Sequence, residues 1–368
     1  MVIMALDHVR DHFMSFALDP TDLKTTTIAL FLTRFATHFC APIFFFTAGI
    51  SAFLSLGRGK DLGHMRRMLV SRGLWLIVLE LAVVNFLFLN FPPNPRIGQT
   101  LWALGWSMIA LSVLSRLPRN WLAGLGLLMV FGHNALDGIT VPGWFNTAWK
   151  VLHTGDVVHL GSVAFVPFYP LIPWIGVMAL GYAIGPIFTA EPAERKRWLA
   201  ILGTACLAGF VVFRGGNFYG DPHPWTAQND PAFTLLSLIN VNKYPPSLSY
   251  LLITLGVGFW LMLGFEKLRE AGKDRLVRTL FLDFGRVPMF YYLAHLILID
   301  LFLIFWVISM GGAKAMEQAQ GPNPPAELFA SLPMVYALWS LVLLILYPLC
   351  RAYAKRKAEN PRPWMSYL

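Results

Sequence analysis

The stretch LFLTRFATHFCAPIFFFTAGISAFLSL occupies residues 30–56 and is apolar almost throughout. A transmembrane helix needs about 20 consecutive apolar residues to cross the hydrocarbon core of a bilayer. This stretch is longer than that, it contains no acidic residue, and Arg34 is its one lysine or arginine. It therefore predicts a membrane-spanning helix.

Apolar runs of the same kind recur along the whole chain of 368 residues. The composition agrees, because 56 % of the residues are hydrophobic and only 13 % are charged, whereas about 25 % of the residues of a soluble domain are charged. We expect an all-α, polytopic integral membrane protein. The ten predicted spans cover residues 1–17, 30–56, 69–90, 99–115, 121–138, 167–188, 196–214, 247–265, 279–308 and 332–351.

The basic residues are concentrated on one predicted side of the membrane. The loops after spans 2, 4, 6 and 8, together with the C-terminal tail, hold most of the 29 lysine and arginine residues, among them Arg58 and Lys60. By the positive-inside rule this side is cytoplasmic, and so are both termini. The net charge of +9 is then a topology signal that favours contact with anionic lipid. It does not indicate nucleic-acid binding.

Five ionisable groups interrupt the first predicted span, in ALDHVRDHF (5–13). At 100° per residue, Asp7, His8, Asp11 and His12 fall on one face of a helix and the apolar residues on the other. Arg10 lies one turn from Asp7 and partly offsets its charge. Charged groups are costly in hydrocarbon. We therefore expect the apolar face to meet lipid and the polar face to meet the protein interior.

The second span repeats this pattern, with Arg34 and His38 one turn apart. His8 and His38 are each about eight or nine residues below the outer ends of their spans, which is roughly 12–14 Å at 1.5 Å per residue. We expect the two histidines to meet. For either histidine alone, a hydrogen bond that joins two helices is the competing interpretation.

Further polar side chains gather in the outer half of the predicted spans and in the outer loops. We expect them to line an outward-facing polar cavity that binds a substrate. They are His133, Asp137, Asn217, Tyr219, Asp221, Asn242, Lys243, Tyr244, Arg286 and His295, with Asp300, Glu80 and Asn85 as other polar groups within spans.

Five stretches of the sequence resemble a known family. They are ALDHVRDHF (5–13), THFCAPIFFFTAGISAFL (37–54), YPLIPWIGVMALGYAIG (169–185), NVNKYPPSLSYLLITLG (240–256) and FGRVPMFYYLAH (284–295). On these motifs the chain is similar, over nearly its whole length, to bacterial membrane proteins grouped with the catalytic domain of heparan-alpha-glucosaminide N-acetyltransferase.

The resemblance implies a single transmembrane acyltransferase-like domain over 1–368, in the bacterial cytoplasmic (inner) membrane. Such an enzyme takes acetyl from cytoplasmic acetyl-CoA and delivers it to an amino sugar or glycan on the far side, using an intramembrane histidine. The animal enzyme has its catalytic histidine before its second span, whereas the nearby histidines in this sequence are His8 and, within span 2, His38. Homo-oligomer formation is compatible with the sequence.

The chemistry of acyl transfer suits these residue types. A histidine is the natural base for an attacking amine or hydroxyl, and it contributes about 10²–10⁴-fold. We expect His8 or His38 in that role, as base or as transient acetyl carrier, with Asp7 or Asp11 orienting the ring. Arg34, Asn242 and Tyr244 are candidate donors to the oxyanion. The candidate residues for the phosphates of acetyl-CoA are Arg66, Arg67, Arg72, Lys273 and Arg275.

Other functions fit the same residues. Intramembrane Asp and His groups also build proton-coupled transporters, although no internal repeat supports this alternative. Histidines at matched depth could ligate haem, although the adjacent carboxylates argue against it, and a purely structural role is a fourth hypothesis. The three cysteines, Cys40, Cys206 and Cys350, have no disulfide or zinc spacing, and we expect neither metal nor haem.

Overall fold

A computed structural model describes residues 1–15, 18–57, 59, 61–88, 95–319 and 325–367. The predicted loop residues Arg58 and Lys60 lie outside the described residues. Within them the chain is mostly helical, with three short strands. The prediction of an all-α, polytopic membrane protein is therefore confirmed.

In chain order, the helices are α1 (Val2–Phe13), α2 (Ile28–Thr37), α3 (Cys40–Leu56), α4 (Leu62–Leu79), α5 (Asn85–Phe88), α6 (Thr100–Leu114), α7 (Arg119–Gly132), α8 (Phe145–Trp149), α9 (Leu171–Ala183), α10 (Pro192–Gly216), α11 (Pro231–Ile239), α12 (Leu248–Glu270), α13 (Arg275–Arg286), α14 (Pro288–Ser309), α15 (Ala313–Ala319) and α16 (Leu332–Glu359). The strands are β1 (Arg96–Ile97), β2 (Val158–Leu160) and β3 (Val163–Val166).

Seven helical segments of the described chain are long and apolar enough to cross a bilayer. They are Ile28–Leu56, Leu62–Leu87, Leu171–Thr189, Pro192–Gly216, Leu248–Glu270, Pro288–Ser309 and Ala326–Glu359. The other three of the ten predicted spans correspond to the shorter helices α1, α6 and α7.

The predicted span 279–308 is divided in two. α13 ends at Arg286 and α14 begins at Pro288. Proline lacks a backbone N–H, and its ring keeps the preceding residue out of the helical region, so a helix ends before it and a new one begins with it. Val287, with φ −130° and ψ 57°, forms the break.

The chain divides into two compact units. Unit 1 comprises residues 1–40 and 268–368, and unit 2 comprises residues 41–267. The prediction of a single domain over 1–368 is not tested by this division and stays a prediction.

In unit 1, α1 packs against α2, α14 and α16. Trp339 Nε1 donates to the carbonyl oxygen of Val2 at 2.9 Å, and the backbone N–H of Ala330 donates to that of Phe13 at 2.8 Å. On α2, Thr33 Oγ1 lies 2.6 Å from the hydroxyl of Tyr336. Contacts at both ends of α1 thus hold this short helix among its neighbours.

In unit 2, α4 packs on α6, and α9 packs on α6 and α7. Glycine allows α3 and α9 to touch through their backbones. A Cβ atom added to Gly181 would lie 2.1 Å from the carbonyl oxygen of Phe46, and one added to Gly49 would lie 2.1 Å from that of Met178. Small residues at such crossings are typical of helix pairs in membranes.

Glu80 and Asn85, which the sequence marks as intramembrane polar groups, bind backbone groups in unit 2. Glu80 is fully buried, and its Oε2 accepts from the backbone N–H groups of Leu101 at 2.8 Å and Trp102 at 3.3 Å. A carboxylate is favourable there because the first N–H groups of a helix have no partner within the helix. The side-chain amide of Asn85 binds both the carbonyl oxygen and the N–H of Ile97 in β1.

The three strands form one small sheet in unit 2, in the order β1-β3-β2. β1 is parallel to β3, with Arg96 opposite Phe165, and β2 is antiparallel to β3, with His159 opposite Ala164. The sheet connects the start of α6 with the segment before α9.

Candidate functional site

The polar groups of α1 lie at its contacts with other helices of unit 1, but its apolar face is not where the sequence predicts. Leu6, Val9 and Phe13 are buried, with 6 %, 0 % and 2 % of their surfaces exposed. The prediction that this face meets lipid is wrong. Because neighbouring helices pack on several sides of the short helix, its apolar residues become core residues of unit 1.

His8 of α1 meets His295 of α14. His8 Nδ1 lies 2.6 Å from His295 Nε2, and the two rings are nearly parallel, with centroids 4.9 Å apart. The ring of Tyr291 also stacks with that of His295, at 5.2 Å. His295 is fully buried, whereas His8 is partly exposed.

The hydrogen-bond partners decide which nitrogen carries a proton in this pair. His295 Nδ1 lies 2.9 Å from the carbonyl oxygen of Tyr291. A carbonyl oxygen only accepts, so Nδ1 of His295 carries the hydrogen and Nε2 of the neutral ring is an acceptor. His8 Nδ1 must then donate to it. In the neutral pair, the basic lone pair of His8 is therefore on Nε2.

Asp7 is the centre of an ion-pair cluster that joins α1 to α2. Its carboxylate lies 2.7 Å from Arg10 Nη2 and 2.9 Å from Arg34 Nη1, and it accepts from Thr37 Oγ1 at 2.9 Å. Asp11 also contacts Arg10, at 2.5 Å. The structure thus brings together Asp7, Asp11 and Arg34 of the predicted site residues.

His38 is buried at the turn between α2 and α3, with 2 % of its surface exposed, and its ring lies edge-on to Phe35. The expected meeting of His8 with His38 stays a prediction.

A cleft of about 340 Å³ opens beside the C-terminal end of α1. It is lined by Arg10, Asp11, Met14, Ser15, Leu18, Asp19 and Pro20. Asp11 has half of its side chain exposed. The cleft therefore offers an accessible carboxylate three residues along α1 from His8.

In unit 2, the predicted outer-loop residues are also brought together. His133 Nε2 lies 2.8 Å from the carbonyl oxygen of Pro246, and the Tyr219 hydroxyl donates to the carbonyl oxygen of Phe131. Asn217 exchanges two hydrogen bonds with the backbone of Trp225. Contacts thus connect residues of the predicted groups 133–137, 217–225 and 240–247, largely through backbone groups, and a substrate cavity lined by them stays a prediction.

Asp221 and Arg214 are the centre of these contacts. Arg214 Nη1 lies 3.4 Å from Asp221 Oδ1, and both side chains are almost fully buried. Asp221 Oδ2 accepts from the backbone N–H of Asn242 at 3.0 Å and from Ser247 Oγ at 2.8 Å. The donors of Arg214 also bind four backbone carbonyl oxygens, those of His223, Ser237, Leu238 and Asn240.

Asp137 lies beyond the end of α7 and pairs with His153, whose Nε2 is 3.1 Å away. Asn134 donates to the same carboxylate at 2.9 Å. Burial alone would raise the pKa of Asp137, but the hydrogen bonds from His153 and Asn134 lower the pKa below its ordinary value. His153 was missed from the sequence, because a histidine in a long loop gives no helical pattern.

Lys243 and Tyr244 lie beside an aromatic group in unit 2. The ammonium of Lys243 is 5.1 Å from the centroid of the Tyr244 ring, and Phe168 and Tyr169 pack against that ring at 4.6 and 5.5 Å. Both rings meet that of Tyr244 edge to face, and Lys243 and Tyr169 are buried, with 8 % and 4 % of their surfaces exposed.

The predicted residues for the phosphates of acetyl-CoA are divided between the units. In unit 2, Arg66 donates to the carbonyl oxygen of Ser112 at 2.6 Å, Arg67 is exposed and Arg72 is partly exposed. In unit 1, Lys273 and Arg275 are exposed. Arg286, predicted within a span, ends α13 instead and is exposed beside Asp283 at 3.3 Å.

His12 and Asp300 form a further contact in unit 1, at 3.5 Å. Neither was assigned a role from the sequence. One signal for His12 was present in the sequence, because its spacing from His8 places both histidines on the same face of α1. In the described residues, no group of three or more His, Cys, Asp or Glu side chains is arranged to hold a metal ion.

Comparison with protein families gives a match over the first part of the chain. The model of the family "Heparan-alpha-glucosaminide N-acetyltransferase, catalytic" matches residues 1–216, which is more than half of the chain. The match includes α1, α2 and the cluster at Asp137, and it ends before the stretches 240–256 and 284–295. A comparison with curated proteins finds no match. This chain belongs to the heparan-alpha-glucosaminide N-acetyltransferase catalytic-domain family of membrane acetyltransferases.

Proposed function

We propose that the protein transfers acetyl from cytoplasmic acetyl-CoA to an amine or hydroxyl on an extracytoplasmic amino sugar or glycan. Family membership and the seven apolar helical segments support a multi-pass membrane acetyltransferase. The donor, the acceptor and the residues that act are the proposed part. The observation that carries the proposal is the 2.6 Å contact between His8 Nδ1 and His295 Nε2.

His8 is the proposed general base. Its Nε2 takes the proton of the acceptor amine or hydroxyl while the acceptor atom attacks the thioester carbonyl carbon. The tetrahedral intermediate then collapses, the bond from carbon to sulfur breaks, and the CoA thiolate leaves. Protonation of the thiolate by His8 regenerates the neutral ring, so the products are acetylated acceptor and CoA with a free thiol.

His295 orients His8 and stabilises its cationic form. When Nε2 of His8 accepts a proton, Nδ1 keeps its hydrogen bond to His295, whose own ring is fixed by the carbonyl oxygen of Tyr291. This is the role that a carboxylate has in a catalytic triad, carried out by a neutral imidazole. Asp7, which the sequence suggests for this role, is instead engaged by Arg10, Arg34 and Thr37.

The acceptor is proposed to enter at the cleft beside Asp11 and Asp19, where carboxylates can bind an ammonium or hydroxyl groups. Lys273 and Arg275, both exposed in unit 1, are the basic residues proposed for the phosphates of acetyl-CoA. We place the enzyme in a bacterial inner membrane, with both termini in the cytoplasm as the basic loops predict.

The test uses protein reconstituted in nanodiscs with radiolabelled acetyl-CoA and glucosamine as the probe acceptor. We expect label on the amine of glucosamine, a loss of about 10²–10⁴-fold in kcat in His8→Ala, and normal turnover in His159→Ala, an exposed histidine of β2. Absence of label on amine and hydroxyl acceptors alike overturns the proposal. Substrate uptake driven by a pH gradient in vesicles would then favour the transporter alternative.

A further inference from the structure

His12 and Asp300 form a second contact between α1 and α14, beyond the contact of His8 with His295. His12 Nε2 lies 3.5 Å from Asp300 Oδ1, and their side chains are 9 % and 22 % exposed. His12 follows His8 by four residues, and Asp300 follows His295 by five. The two contacts are therefore about one helical turn apart, on helices that run in the same direction.

Both ring nitrogens of His12 face oxygen atoms. Nδ1 lies 2.7 Å from the backbone carbonyl oxygen of His8, which only accepts, and Nε2 faces the carboxylate of Asp300. A neutral imidazole has one N–H and can donate to only one of these two oxygen atoms, whereas the cation has two N–H groups and can donate to both. The two contacts therefore exist together only when His12 is protonated.

The backbone group that His12 binds belongs to His8. Asp300, His12 and the carbonyl of His8 therefore form one connected chain of contacts from α14 to the residue that carries the proposed base. A shift of α1 along α14 would break this chain and lengthen the contact of His8 with His295 together. The His12–Asp300 pair is therefore one of the contacts that fix the register of α1 on α14.

We propose that His12 and Asp300 are a charge-dependent positioning pair, which holds His8 in register with His295 only while His12 is protonated. This inference rests on the proposed function, because it assumes that His8 is the base. Neither residue touches the reacting atoms, so their effect is on kcat through the placement of His8.

The other ionisable groups around α1 are engaged with one another. Arg10 contacts Asp7 and Asp11, and Arg34 of α2 contacts Asp7. From α14, His295 contacts His8. From α16, two neutral side chains reach α1 and α2. Trp339 donates a hydrogen bond to the carbonyl oxygen of Val2, and the hydroxyls of Tyr336 and Thr33 share one. Asp300 is the carboxylate that the structure pairs with His12.

Two substitutions at Asp300 distinguish the effect of its negative charge from the effect of its contact with His12. In Asp300→Asn, the amide N–H can donate to the lone pair of neutral His12, so the contact survives deprotonation. In Asp300→Leu, it is lost in both forms. We expect kcat of the parent to fall as pH rises and His12 loses its proton. Asp300→Asn should keep its kcat at high pH. Asp300→Leu should have at every pH the lowered kcat that the parent reaches at high pH, about 10²-fold below the parent's kcat at low pH, with an unchanged KM for acetyl-CoA.

Glu359→Gln is the matched control, because Glu359 is an exposed acid paired with Lys355 at the end of α16. Its pH profile should follow that of the parent. Parallel pH profiles of the parent and Asp300→Asn overturn the charge dependence. Full kcat in Asp300→Leu, even with a lowered Tm, overturns the positioning role, because a merely structural contact would affect stability alone.

A second readout does not need activity. The Tm of the detergent-solubilised parent should fall as pH rises, because a neutral His12 keeps only one of its two contacts. The Tm of Asp300→Asn should lack this fall. If the parent transfers no acetyl group, the proposed function fails, while the two Tm profiles still decide whether the pair is charge-dependent.

Discussion

His8 Nδ1 and His295 Nε2 lie 2.6 Å apart although 287 positions separate them in the chain. Because the carbonyl oxygen of Tyr291 binds the other nitrogen of His295, the hydrogen-bond direction through the pair is determined. The backbone of α14 thus decides which nitrogen of His8 is basic. The hydrogen bond that His295 accepts from His8 can therefore be tested separately from the contribution of the His295 ring to packing.

Substitutions at His295 test this separation. The side-chain oxygen of glutamine can accept a hydrogen bond near the position of Nε2, so His295→Gln should retain much of the kcat. His295→Leu has no acceptor and should lose about 10²–10⁴-fold in kcat. Steady-state kinetics on reconstituted protein give the comparison. Equal loss in both variants, with Tm values near the parent's, would contradict the orienting role.

The cluster at Asp7 predicts a large effect on stability. In Asp7→Ala, the almost buried guanidinium of Arg10 and the partly exposed one of Arg34 lose a carboxylate. Removing one partner of a buried ion pair costs about 3–5 kcal/mol. Asp11 also contacts Arg10, but half of its side chain is exposed. Asp11→Asn should therefore change the free energy of unfolding by less than about 1 kcal/mol.

Denaturant or thermal unfolding in mild detergent measures both variants. A loss in Asp7→Ala no greater than that in Asp11→Asn would show that the cluster does not stabilise unit 1.

At α1, the sequence predicts which residues share a face but not what that face contacts. The spacing of ALDHVRDHF correctly places Asp7, His8, Asp11 and His12 on a polar face, since side-chain direction follows from helix geometry. The same spacing cannot say what packs on the opposite face, where Val9 and Phe13 are core residues. Amphipathicity distinguishes two faces of a helix, but lipid and protein interior are both apolar surroundings.

The sequence also could not predict which residues the polar side chains contact. Matched depth predicts that His8 and His38 meet, and this stays a prediction. The contact of His8 with His295 could not be predicted, because depth does not determine which helices are neighbours.

In unit 2, Asp221 binds the backbone N–H of Asn242 and the hydroxyl of Ser247, and a substrate cavity lined by the outer-loop residues stays a prediction. The contacts of Arg214 with the carbonyl oxygens of 237–240 were not predicted, because more than twenty residues separate them in the sequence.

Arg214 and Asp221 are predicted to be strongly coupled. Arg214→Met leaves Asp221 buried without its cation, and about 3–5 kcal/mol of stability should be lost. Asp221→Asn should also destabilise, and the double variant should lose less than the sum of the two single losses, since it leaves no lone charge behind. A double-mutant cycle from unfolding free energies measures the coupling. Additive losses would contradict it.

Arg214→Lys is a further test of the same residue. A lysine keeps the charge but has one nitrogen, so it cannot reach the four backbone carbonyl oxygens that the guanidinium binds. We expect a loss of about 2 kcal/mol or more, since buried acceptors are left unpaired. Stability equal to the parent's would mean that the ion pair alone matters.

The close approach of α3 and α9 predicts that a single methyl group is not tolerated. An added Cβ at Gly181 would lie 2.1 Å from the carbonyl oxygen of Phe46, and backbone atoms cannot move aside as a side chain can. Gly181→Ala should cost about 1–3 kcal/mol or more, because overpacking forces the two helices apart.

Gly124→Ala is the matched control for this helix crossing. Gly124 lies inside α7, and an added Cβ there meets nothing within 4 Å. Alanine is the better helix former by about 1 kcal/mol, so this variant should be neutral or slightly more stable. The two alanine variants differ only in what surrounds the new methyl group. Similar Tm values for both would therefore show that the backbone contact between α3 and α9 does not limit the packing of unit 2.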